Sequence, residues 1–142
     1  MNRNSVFGLS ALVLAACGGG GATFTDPVNP EDIRAAAAAT LDVVCQEVDG
    51  SSTIKCDNDE EQMMTSFTKL RIQVAEESDG SLYATIISVQ QGRLERKKVV
   101  AFLKRFGFSE DDFLAAIERG QRITQGDFTL YDNGDYMSIY SN

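Results

Sequence analysis

The chain has 142 residues, with 13 basic and 21 acidic side chains, a formal net charge of −8 and no histidine. That length suits one domain built around one core. The acidic balance argues against nucleic acid as a partner, and the missing imidazole removes Ser-His and Cys-His nucleophile pairs and histidine metal sites.

The amino terminus reads as a processing signal. Arg3, with polar Asn2, Asn4 and Ser5, precedes an apolar run from Val6 to Leu14, which closes on Leu14-Ala15-Ala16-Cys17. The run is about half the length needed to span a bilayer. A plain cleaved signal peptide would also use small residues here. A cysteine at the cut, followed by a glycine-rich tether, resembles instead the lipobox of bacterial lipoproteins. The resemblance covers the first 17 residues. It implies cleavage before Cys17, lipidation of that thiol, and an anchor of several acyl chains, which holds firmly where one chain does not. Gly18, where an aspartate would retain the protein, implies by the same resemblance the periplasmic face of the outer membrane.

Removing residues 1–16 leaves 126 residues and costs one charge, Arg3, for a mature balance of −9. Gly18 to Gly21, then Ala22-Thr23-Phe24-Thr25-Asp26-Pro27, read as a flexible leash. The expected division is therefore a signal peptide at 1–16, an acylated tether at 17–28 and a single domain at 29–142. With Cys17 given to lipid, Cys45 and Cys56 remain to form a disulfide in a compartment that permits one. They lack the C-x-x-C spacing of a redox pair. A structural bridge closing so short a loop would contribute about 2–3 kcal/mol, and reactivity toward thiol reagents in oxidised protein would point to the redox reading.

The first helix is announced by Asn29 as cap, Pro30 at the first position, and Glu31 and Asp32 near the positive end of the dipole. Val28 and Ile33 are spaced as a hydrophobic staple. Ile33, Ala36, Ala37, Thr40, Leu41, Val44, Cys45 and Val48 recur at helical steps, which carries the expected helix to Gly50. A small extra strand fits near Thr53-Ile54-Lys55. The acidic run Asp57 to Glu61 resembles the start of a calcium loop. Gln62 and Thr68 then fall where glycine and glutamate are required. A short helix with Asp57 as cap, Glu60 completing a capping box, and Met63, Met64 and Phe67 on its apolar side explains the run better.

Leu70, Ile72 and Val74 alternate with polar residues as a half-buried strand. Glu77-Ser78-Asp79-Gly80 is a hairpin turn, and Leu82 to Val89 returns as the partner. Gln91-Gly92 breaks the sheet. The period then becomes helical, with Val99, Phe102, Leu103 and Phe106 on one stripe. Arg93, Arg96, Lys97, Lys98, Lys104 and Arg105 fall largely elsewhere on the wheel. They are six of the 13 basic residues and form the candidate docking face for an acidic partner, phosphate or lipopolysaccharide. A solvated face paired with the protein's own carboxylates is the simpler explanation.

Gly107 stops this helix. Ser109 with Asp112 starts the next, Phe108 and Phe113 form a second staple, Phe113, Ala116 and Ile117 face inward, and Gly120 ends it. Glu110, Asp111 and Asp112 complement the helix dipole. Arg122 to Tyr131 reads as one strand, irregular at Gln125-Gly126-Asp127. Asn133-Gly134 turns it into Tyr136 to Tyr140. Phe128, Tyr131, Tyr136 and Tyr140 suit cross-strand pairing, or a platform for sugar or peptide. Asp132 and Asp135 fall short of the six to eight oxygens of a calcium shell.

The expected fold is α+β in two layers. A mainly antiparallel four-stranded sheet of two hairpins is covered by about four helices, with a faint ααββ repeat placing Asp79-Gly80 and Asn133-Gly134 in equivalent positions. The expected function is that of a lipid-anchored, non-catalytic envelope protein that binds another periplasmic or membrane protein, without cofactor or metal. The basic helix and the sheet edges are its candidate surfaces. An inhibitor of a secreted hydrolase, a small-ligand or cation module at the Asp132–Asp135 turn, and a carboxylate-dependent enzyme are the alternatives. No spacing selects a catalytic carboxylate pair.

Overall fold

The computed structural model describes residues 22–48, 52–63, 68–76, 78–80, 82–90, 92 and 94–142. Asn29 opens helix α1 (Pro30–Leu41) as expected, its side chain accepting a hydrogen bond from the Glu31 amide at 2.9 Å. Val28 and Ile33 are both buried beside it. The helix does not reach Gly50. It ends at Leu41 because Asp42 adopts a left-handed conformation (φ 57°). The alanine run that favours helix ends at Ala39, and the β-branched pair Val43-Val44 then favours extended chain. Val44–Glu47 is accordingly a strand, β1. Val44, expected on the buried stripe, is 68% exposed.

Strand β2 (Thr53–Asp57) runs antiparallel to β1 and places Cys45 directly opposite Cys56. The two are joined in the expected disulfide. Asp57 does not cap the short helix α2 (Glu60–Met63). It is 1% exposed at the end of β2, and its carboxylate accepts hydrogen bonds from the Asp59 and Lys69 amides. The cap is Asp59, which accepts from the Glu61 amide at 3.0 Å. Met64 and Phe67, the expected apolar side of this helix, lie outside the described residues.

Strands β3 (Leu70–Glu76) and β4 (Leu82–Gln90) form the expected hairpin, with a register shift between Gln73 and Val74. Helix α3 (Arg96–Lys104) follows, then α4 (Glu110–Arg119), which starts in a complete Ser109–Asp112 capping box and ends at left-handed Gly120. The expected strand from Arg122 to Tyr131 is instead two, β5 (Ile123–Gln125) and β6 (Phe128–Asp132), paired to each other. Gly126 takes a positive φ of 57° and reverses the chain there, a conformation that side chains resist. Strand β7 (Tyr136–Ser141) closes the expected second hairpin.

Among the described residues, the strands join one antiparallel sheet of seven, ordered β1-β2-β3-β4-β7-β6-β5. The four-stranded expectation left out β1 and did not divide β5 from β6, while β2 takes the place of the small extra strand expected near Thr53-Ile54-Lys55. The element order, αββαββ and then ααβββ, also departs from an ααββ repeat. Both edges are short strands, of four and three residues, which limits edge-to-edge pairing.

Alternation along the strands sorts the two faces. Ile54, Leu70, Ile72, Ile87, Val89, Leu130, Met137 and Ile139 turn inward and share one core with Ile33, Ala36, Phe102, Leu103, Phe106 and Ala116 of the helical layer. Residues 22–28, expected to belong to the leash, already take part in this packing. Phe24 meets the Phe106 ring edge-on at 4.9 Å, its amide donates to the Arg105 carbonyl at 2.7 Å, and Val28 is 3% exposed.

Candidate functional site

The outward positions of the sheet carry Lys55 on β2, Arg71 and Gln73 on β3, Tyr131 on β6, and Tyr136, Ser138 and Tyr140 on β7, all partly exposed. Tyr136 and Tyr140 share this face because four residues separate them along a strand. Tyr131 joins them by register, opposite Ser138. Phe128, grouped with these tyrosines in the sequence, does not belong here. It lies three residues from Tyr131, so it turns inward and meets Phe106 edge-on at 5.2 Å.

Arg122, just before β5, completes the arrangement. Its guanidinium lies 4.3 Å from the centre of the Tyr131 ring and donates a hydrogen bond to the Tyr140 hydroxyl. The contact combines a cation over an aromatic face with a directional bond and fixes three large side chains relative to one another. Beside it, the hydroxyls of Thr124 and Thr129 lie 3.0 Å apart, and Thr129 donates to the Asn142 side-chain carbonyl. Arg122 was not singled out from the sequence, where it sits in no motif.

The five described basic candidates are not gathered into one patch. Arg93 lies outside the described residues. Arg96 stands at the start of α3, 3.7 Å from the Glu110 carboxylate and 5.6 Å from the centre of the Phe113 ring. Lys98 lies 3.8 Å from Glu95, while Lys97 and Lys104 are exposed. Arg105 is at the other end of the helix, with its guanidinium over Phe24 at 4.5 Å and its Nε donating to the Ala22 carbonyl. Cys17 is outside the described residues.

Asp132 is buried at the end of β6, whereas Asp135 lies exposed in the following turn. Asn133 organises that turn by accepting from the Asp135 and Tyr136 amides at 2.9 and 2.8 Å. Among the described residues, no group of three or more Cys, Asp or Glu side chains is placed to hold a metal ion, and no helix is long and apolar enough to cross a membrane. Compared with protein-family models, curated proteins and solved structures, the chain matches none.

Proposed function

We propose that the mature chain is a lipid-anchored, non-catalytic protein of the cell envelope that docks a periplasmic or membrane protein on the outward face of its sheet. The observation that carries this reading is the Arg122–Tyr131–Tyr140 cluster. Arginine and tyrosine are enriched among the residues that dominate protein interfaces. Side chains already held in place lose less freedom on binding. The basic residues of α3 are a weaker candidate surface, because Arg96 and Arg105 stand at opposite ends of the helix and Arg96 already faces the Glu110 carboxylate. The lipobox resemblance supports the anchor, and a leash raises the effective concentration of even a weak binder at the membrane.

The test is a photo-crosslinking phenylalanine analogue placed at Tyr136 in intact cells, beside the same analogue at Lys97. Protein adducts at Tyr136 that vanish on Arg122→Ala support the reading. An absence of protein adducts at Tyr136 rejects it. The anchor is tested separately by intact mass and membrane fractionation of wild type and Cys17→Ser. A lipid increment on Cys17 and release of the variant are expected, and an unmodified, soluble wild-type chain would overturn the assignment.

A further inference from the structure

The register of the sheet reveals a second property of the outward face. Gln46, Lys55, Arg71, Ser88, Ser138 and Tyr131 are successive partners across six strands, so they form one row perpendicular to the strands. Arg122 lies over the last of them. Cations therefore stand at both sides of the row, Lys55 and Arg71 on one and Arg122 on the other, with serine at the two positions between. Neighbouring strands are about 4.8 Å apart, which puts Arg71 roughly 14 Å from Tyr131.

The charge on this face opposes that of the molecule. Among the described outward positions of β2, β3, β6 and β7, the charged residues are Lys55, Arg71 and Asp57, so that together with Arg122 three cations stand against one buried carboxylate. A chain with 21 acidic side chains against 13 basic ones thus presents a cationic and aromatic face. The spacing of its two cationic sides is slightly more than the 10–12 Å diameter of an α-helix with its side chains.

We infer that this face receives an acidic α-helix of the partner protein. The helix lies along β4 and β7 over the serine positions, with carboxylates on one flank meeting Lys55 and Arg71 and carboxylates on the other meeting Arg122. Complementary charge across the contact speeds encounter and sets the register of docking. The inference rests on the protein-docking reading above and names the chemistry of the partner.

The experiment uses the Tyr136 crosslinking chain in cells, with Arg71→Glu, Lys55→Glu and Arg71→Lys introduced separately. The mature proteins are also purified to check that their denaturation midpoints agree with wild type. The expected result is at least a tenfold loss of adduct with either glutamate variant, retention with Arg71→Lys, and an Asp- or Glu-rich helical segment at the crosslinked site of the partner. Adduct yield unchanged by both glutamate variants overturns the acidic-helix inference and leaves the docking reading intact. Crosslinking to a polyanionic glycan or lipid instead of a polypeptide overturns the inference. Absence of any adduct in the parent chain rejects both together.

Discussion

Phe106 touches three other rings, Phe24 at 4.9 Å, Phe102 at 5.4 Å and Phe128 at 5.2 Å, each edge-on. It thereby joins the N-terminal segment, its own helical layer and the inner face of the sheet. Removing it leaves a cavity that none of the three neighbours can fill alone. Phe106→Ala should therefore cost about 3–5 kcal/mol, read as a lowered denaturant midpoint. Lys97→Ala, on the exposed side of α3, should change stability by less than about 0.5 kcal/mol. Equal effects from the two would refute this account of the core. The same residue-by-residue logic separates Phe128 from Tyr131. Both are aromatic and nearly adjacent in sequence, yet the twofold alternation of a strand sends one into the core and the other onto the outward face of the sheet.

At the scale of elements, the helix signals were legible where local chemistry alone decides. Asn29-Pro30 starts α1, the Ser109–Asp112 box starts α4, and Gly120 ends it. The end of α1 was not legible, because apolar residues from Ile33 to Val48 fit a helical period while the disulfide partner and sheet that claim Cys45 lie elsewhere in the chain. Asp42 supplies a test. It is exposed and occupies a left-handed conformation at φ 57°, which costs a residue with a Cβ more than it costs glycine. Asp42→Gly should leave the fold unchanged and raise stability by about 0.5–1 kcal/mol. A lower midpoint would mean that α1 does not end there. The candidate site was half legible for a similar reason. The tyrosines stand out as a set, whereas Lys55, Arg71 and Arg122 come from three separated stretches and share one face only through the pairing of the strands.

For the whole molecule, the question is where the packed domain begins. Phe24 and Val28 contribute apolar surface to the core, and the Asp26 amide donates to the Asp127 carboxylate at 2.9 Å. A chain starting at Asn29 should thus be less stable than one starting at Thr23, by roughly 3 kcal/mol from the apolar area lost. Identical denaturation midpoints would return residues 23–28 to the leash. The placement also sets how the domain responds to mechanical tension. A pull on the N-terminal side enters through Ala22, Phe24 and Asp26, which grip the end of α3 and the β5–β6 turn. That turn also holds the other end of the chain, through the Asn142 amide on the Asp127 carbonyl. Tension is borne first by this corner of the molecule, remote in the strand order from β1, β2 and β3. The Lys55 and Arg71 side of the sheet can therefore stay undistorted while the N-terminal segment is under load.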